Sequence, residues 1–172
     1  RFDNEVHVVL LTGQGEYFCG GVNSQMLSEV DPTYRYYFAL HAGETLQRLE
    51  RTPKLVVAAL NGHAVGGGLE LALACDLRIA RKGVQLSMPD VAMGTMPTFG
   101  GTQRLTRVLG KTRALQFLLE GYTLDAEQAS HLGLVARVMD EPDVDQFRAK
   151  VHEILQRFVP PAKAPLAVGR IK

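Results

Sequence analysis

The apolar positions of this chain alternate between short unbroken runs and longer stretches with helical period. Val6, Val8, Val9, Leu10 and Leu11 make the first run, and residues 55–60 (Leu55, Val56, Val57, Ala58, Ala59, Leu60) make the second. Runs of that length, rich in β-branched residues, predict strands covered on both faces. Shorter strands are predicted at residues 77–80 and 84–87, around the turn Lys82-Gly83, and at 134–138. Pro32 opens a helix in which Phe38, Ala42, Thr45 or Leu46, and Leu49 recur on one face, ending near Arg51 before Pro53. Further helices are predicted at 24–27, 102–109, 112–120 and 126–132, the last started by Asp125 as N-cap and stopped by Gly133. Residues 144–158 form an amphipathic helix with Val144, Phe147, Val151, Ile154, Leu155 and Phe158 inward. Residues 88–97 have no period and read as a loop. Strand and helix in alternation predict an α/β architecture, with no internal repeat clear enough to use.

One stretch stands apart. The second apolar run leads through Asn61-Gly62-His63-Ala64-Val65 into three consecutive glycines, Gly66, Gly67 and Gly68, and then Leu69-Glu70-Leu71-Ala72-Leu73-Ala74-Cys75-Asp76. Bare glycines let another group approach the backbone closely. The residues after them are helix formers, apolar on all sides, which describes a buried helix. The first turn of a helix offers unpaired N–H groups and partial positive charge, a setting that stabilises a developing oxyanion. Glu70 sits in that turn and is the only acidic residue between Glu50 and Asp76. It either complements the helix dipole or acts on a bound molecule, and the glycines beside it favour the second role, since a dipole-capping Glu needs no bare backbone.

Composition removes other classes. The chain has 172 residues, 46% hydrophobic and 22% charged, as in an ordinary globular domain. A net charge of +1 leaves no reason to expect nucleic acid or an acidic membrane as partner. The apolar runs are too short to span a bilayer. Two cysteines without a CxxC pair fit a reducing compartment such as the cytoplasm, and five scattered histidines give no metal-ligand spacing. The chain begins at Arg1-Phe2-Asp3 without Met and ends inside the apparent start of a helix, so a core fragment trimmed at both ends is expected. A mitochondrial-matrix or peroxisomal address therefore stays open.

Several motifs lead nowhere. Gly110-Lys111-Thr112 resembles the end of a P-loop, but the earlier glycine position holds Leu105. Gly13-Gln14-Gly15 lacks the third glycine of a dinucleotide fingerprint. No Ser occupies a G-x-S-x-G elbow. His63 reads as structural rather than as a base. Met88, Met93 and Met96 either line an adaptable pocket or fill core gaps. Tyr34, Tyr36 and Tyr37 either reach a substrate or cover a partly buried helix start.

Four segments taken in order carry a resemblance: Phe18-Cys19-Gly20-Gly21-Val22-Asn23, the stretch from Ala59 to Ala72, Gly94-Thr95-Met96-Pro97, and Gly100-Gly101-Thr102-Gln103-Arg104-Leu105. Together the chain resembles the enoyl-CoA hydratase/isomerase (crotonase) family, closely to about Val138 and more loosely after it. The resemblance implies a single domain, residues 1–172, built as a spiral of ββα units. It also implies an acyl-CoA thioester as substrate, assembly as a homotrimer or hexamer, and no cofactor beyond the CoA carried by the substrate. By motif position, the backbone N–H groups of Val22 and Gly67 would hold the thioester oxygen. Asn23, Ser24, Gln25 and Gly66 would contact substrate.

In family hydratases two glutamates flank the double bond. Glu70 matches the one that activates water. The second, which works on the α-carbon proton, lies twenty residues on, where this chain has Asp90. That carboxylate is one methylene shorter than the family residue. Thr98-Phe99 also departs from the small residues common there and is expected to reshape the acyl pocket. The resemblance implies reversible hydration of a 2-enoyl-CoA, with double-bond isomerisation as the alternative reaction. A non-catalytic relative that binds CoA or only assembles is the alternative outside enzymes.

Overall fold

The computed structural model describes residues 3–172. In chain order its elements are β1 (Val8–Thr12), β2 (Tyr17–Cys19), α1 (Ser24–Glu29), α2 (Pro32–Glu50), β3 (Leu55–Leu60), β4 (His63–Val65), α3 (Gly67–Leu73), β5 (Leu77–Arg81) and β6 (Gln85–Ser87). A 3-10 turn (Asp90–Met93) precedes α4 (Gly101–Leu109), α5 (Lys111–Glu120), β7 (Thr123–Asp125), α6 (Ala126–His131), β8 (Arg137–Met139), α7 (Val144–Leu155) and α8 (Pro165–Ile171).

The strands form two four-stranded sheets, ordered β1-β3-β5-β8 and β2-β4-β6-β7. Each of the first three strand pairs gives one strand to each sheet, so the chain winds as repeated ββα units. All pairings are parallel except β6 with β7. The repeat is structural, invisible as sequence similarity because its units carry helices of very different length.

β3 shows why its run is apolar throughout. Val57 and Ala59 face α7, packing with Phe147, Val151, Ile154 and Leu155. Val56, Ala58 and Leu60 face the other way, into the main core with Leu69, Ala72, Leu86 and Leu105. A strand with helix on one side and sheet and helix on the other has no polar face to show. The same expectation fails for β1. That strand is at the edge of its sheet, and Val8, Val9, Leu10 and Leu11 are only half-buried.

Polar groups in the core fix the layers. Asn61 is fully buried, and its Oδ1 accepts from Gly13 N at 2.7 Å and Thr12 Oγ1 at 3.1 Å, tying the β1–β2 turn to the end of β3. Asp76 Oδ2 accepts from Val56 N at 2.7 Å, setting β3 against the start of β5. Buried Arg78 donates from Nη1 to Cys75 O at 2.8 Å and Ala72 O at 3.3 Å, satisfying the exposed carbonyl end of α3. The last predicted strand shifts to β8 because Leu134 and Val135 are buried in the turn before it, not in the ladder. The last amphipathic helix tightens to a 3-10 turn over its final residues, Gln156–Phe158. Among the described residues no helix is long and apolar enough to cross a membrane.

Candidate active site

The triple glycine spans the turn from β4 into α3, and its members are bare for different reasons. Gly66 holds φ +53° and ψ −121°, a conformation that side chains rarely adopt, and its N–H donates to Ser87 O at 2.9 Å. A Cβ on Gly68 would fall 1.9 Å from the carbonyl oxygen of Cys19, so this glycine serves the packing of α3 on β2. Gly66 and Gly67 both line a cavity, and a Cβ on Gly67 would come within 3.0 Å of the Phe99 ring. Protein geometry thus bears on all three glycines, and two of them also leave backbone open to the cavity.

That cavity has a volume of about 400 Å³. Val22, Gly66, Gly67, Glu70 and Asp90 all line it, together with Phe38, Met93, Met96, Thr98 and Phe99. Among the described residues neither the Val22 nor the Gly67 N–H donates to a protein acceptor.

Glu70 is 2% exposed. Its Oε1 accepts two backbone bonds, from Gly101 N at 2.7 Å and Phe99 N at 2.8 Å. Among the described residues no hydrogen bond falls on Oε2, so one oxygen is clamped and the other belongs to the cavity. Burial raises the Glu70 pKa from 4.5 to about 7, against the lowering effect of the two N–H bonds and of Arg104, and with a further push from Asp90. Asp90 opens the 3-10 turn, where its carbonyl accepts from Thr95 N at 3.0 Å and Thr95 Oγ1 at 3.1 Å. Its carboxyl is half-buried, with Oδ2 enclosed and without a hydrogen-bond partner. Burial raises its pKa also. The Asp90 charge thus adds to burial in favouring the protonated form of Glu70.

Of the eight residues assigned from sequence to catalysis, the oxyanion or substrate contact, five line the cavity: Val22, Gly66, Gly67, Glu70 and Asp90. Asn23 is the N-cap of α1, its Oδ1 accepting from Met26 N at 3.1 Å, and Gln25 bonds to Glu29 Oε1 at 3.3 Å on the exposed side of that helix. Neither lines the cavity. The side chain of Ser24 lies outside the described part of the structure. His63 Nδ1 accepts from Gln85 N at 3.1 Å and its ring packs on Tyr17, a structural role. Tyr34, Tyr36 and Tyr37 point away on α2, where Phe38 and Ala39 line the cavity in their place. The methionines divide: Met88 is in the core, while Met93 and Met96 line the cavity with large exposed surfaces.

Nothing local in the sequence marks Arg104 as a functional residue. It is 7% exposed on the inward face of α4, beside Leu105. A cation at an apolar helix position was the available signal, but its partner Glu50 lies 54 residues away in sequence.

Comparison with known proteins bears on this site. The family model described as enoyl-CoA hydratase/isomerase matches residues 1–168, and the chain belongs to that family. It is 39% identical to a short-chain-enoyl-CoA hydratase of Clostridium acetobutylicum, over 96% of this chain and 62% of that protein. It is 36% identical to an enoyl-CoA isomerase/hydratase of Mycosarcoma maydis, over 96% of this chain and 59% of the relative. The crystal structure of an enoyl-CoA hydratase from Bacillus anthracis superposes with a TM-score of 0.89 at 34% identity, covering 98% of this chain and 64% of that one. The chain thus spans roughly three-fifths of the length of these relatives, and its mixed α/β fold is that of crotonase-type structures.

Proposed function

We propose that this protein hydrates 2-enoyl-CoA thioesters reversibly. The observation that carries the reading is one cavity lined by two carboxyls of raised pKa, Glu70 and Asp90, and by the N–H-bearing residues Val22 and Gly67. The thioester oxygen sits between the two N–H groups. Ionised Glu70 takes a proton from water as the water oxygen bonds to C3. The C2=C3 electron pair moves toward the thioester, and the oxygen gains enolate charge. Protonated Asp90 then supplies a proton to C2 as the carbonyl re-forms. Water has been added across the double bond, and the proton on Glu70 returns to Asp90 through solvent before the next cycle. One oxyanion donor of this kind is typically worth about 2.7–4 kcal/mol in the transition state. Only protons and one water move, so the reaction asks for no cofactor beyond the CoA of the substrate. Titration with crotonyl-CoA tests the reading through loss of the conjugated-thioester absorbance. No loss of absorbance from a thioester that demonstrably binds would overturn it in favour of a non-catalytic relative.

A second reading, double-bond isomerisation, draws on Asp90. Its unpartnered Oδ2 is free to carry one proton between two carbons of an enolate. A 3-enoyl-CoA separates the two, since isomerisation makes conjugated absorbance appear whereas hydration makes it vanish. Trimeric or hexameric assembly is proposed on the family resemblance and is supported by exposed Val108, Leu115 and Leu119 on α4 and α5.

A further inference from the structure

The cavity has a feature that the proton chemistry leaves unused. Among the described residues, Arg35 is the only cationic one lining it. It stands in the first turns of α2, and its Nε donates to Val30 O at 3.1 Å, which orients the guanidinium at the junction of α1 and α2. Among the described residues, no carboxylate pairs with Arg35, and its Nη groups have no protein acceptor. The neighbouring Asp31 is engaged elsewhere, accepting from Tyr34 N at 3.0 Å as the cap of α2. Arg35 is not the counter-ion of the reacting pair either. The cation acting on Glu70 is Arg104, and no cation offsets the burial of Asp90.

Its position relative to the carboxyls follows from packing. Phe99 N–H holds Glu70, and the Phe99 ring lies 5.8 Å from that of Phe38. Arg35 is three residues before Phe38 on α2, so it lies about 4.5 Å further along the helix axis. The same cavity wall carries Leu27, Ser28, Ala39 and the two methionines Met93 and Met96. A neutral acyl tail gains nothing from a cation in such a wall and must lie against it. A carboxylate at the tail's end gains a planar fork that it can engage with both oxygens.

We infer that Arg35 forms a subsite for an anionic group at the far end of the acyl chain, so the substrate class is an enoyl-CoA whose acyl tail ends in a carboxylate. This rests on the thioester reading above. The same cation has one competing source of anion, the phosphates of CoA itself, and the test separates them.

The experiment is equilibrium binding of two saturated thioesters that the enzyme cannot hydrate: glutaryl-CoA, ending in a carboxylate, and 5-methylhexanoyl-CoA, its neutral isostere. Both are measured with the wild-type protein, Arg35→Met and Arg35→Lys, each checked for native circular dichroism. Because Arg35 is exposed and its charge is screened, a preference of about three- to fivefold for glutaryl-CoA is expected, shrinking with added salt. Arg35→Met should abolish the preference and leave the neutral ligand within about twofold. Arg35→Lys should keep part of it, since the charge stays and the fork is lost. Equal wild-type affinity for the two ligands would overturn the inference while leaving hydration intact. Equal weakening of both by Arg35→Met would place the cation on the CoA phosphates, overturning it also. Failure to bind either thioester, together with inactivity on crotonyl-CoA, would sink the thioester reading and this one with it.

Discussion

Arg104 grips Glu50 with two parallel bonds, Nε to Oε1 at 2.9 Å and Nη2 to Oε2 at 2.8 Å, while its Nη1 donates to the carbonyl of Phe99. The last turn of α2 is thereby tied through α4 to the segment that holds Glu70, because Phe99 and Gly101 donate the two N–H bonds to that carboxyl. Arg104 does not line the cavity. It positions Glu70, the residue to which the proposed reaction gives the role of base, and its charge acts on that carboxyl.

Glu50→Gln should therefore lower kcat more than it raises KM, by about 10–100-fold, the scale of a misplacement near 1 Å at a reacting centre. Arg104→Met should do the same and also destabilise, since breaking a buried pair costs about 3–5 kcal/mol and Glu50 is partly exposed, which favours the lower end. Removing Arg104's charge also removes a lowering influence on Glu70, so the acidic limb of the pH–rate profile should move to higher pH. A purely structural role would lower Tm and leave that limb where it was.

The raised Glu70 pKa makes a stability prediction with a definite sign. The folded state holds the Glu70 proton more tightly than the unfolded chain, whose group titrates near 4.5. Its contribution is fully present below pH 4.5 and is lost as pH rises to about 7. The loss is on the order of 3 kcal/mol. Glu70→Gln, which stays neutral and can still accept both N–H bonds, should flatten this fall and be more stable than the wild type at pH 8. Denaturant titrations of both proteins across that range would show it. Parallel pH profiles would mean that Glu70 stays ionised in the fold.

Two glycine substitutions should have opposite consequences. Gly68→Ala places a methyl 1.9 Å from the Cys19 carbonyl oxygen, a backbone atom that cannot step aside, so it should strongly lower Tm. A Cβ on Gly101 would meet Glu70 Cγ and Oε1 at 2.8 Å, so Gly101→Ala should displace the carboxyl and depress turnover ahead of stability. Measuring Tm and kcat on both variants checks the contrast. Equal losses in the two variants would contradict it.

Asp90 is where the chain departs from the glutamate of family hydratases, and the 3-10 turn accounts for how a shorter side chain can serve. Thr95 fastens the Asp90 carbonyl from both its N–H and its hydroxyl, and a Cβ on Gly66 would lie 3.7 Å from Asp90 Oδ2. The Asp90 carboxyl thus reaches the glycine turn from a fastened backbone. Asp90→Glu should crowd that site and lower kcat despite restoring the family residue. A gain in enoyl-CoA hydration well above wild type would instead move isomerisation ahead.

Much of this was legible in the sequence where period or steric need leaves a mark. The two-sided burial of β3 is written in its continuous apolar run, and α2 in the spacing of its inward face. Glu70, Asp90, Val22 and Gly67 were reached through motif order and converge on one cavity. The three-residue strands β2, β4 and β7 leave no mark of alternation, whereas the equally short β6 and β8 overlap the predicted stretches 84–87 and 134–138. The composition of β1 predicts cover on both faces because it cannot reveal an edge position. Asn23 and Gln25 were assigned to substrate by their place beside Val22, yet their side chains are used locally around α1. The Arg104–Glu50 link bridges elements 54 residues apart, and nothing local announces such a pairing.

In the proposed reaction Glu70 and Asp90 divide the proton work on a bound thioester. The most direct measurement is the steady-state hydration of crotonyl-CoA by wild type, Glu70→Gln and Asp90→Asn, alongside the affinity of each for unreactive butyryl-CoA. The expected result is a loss of turnover of about 10²–10⁴-fold in each variant, the range for a lost general acid or base, with butyryl-CoA affinity nearly unchanged. Near-normal turnover in either variant would return that carboxyl to a structural role and contradict the account.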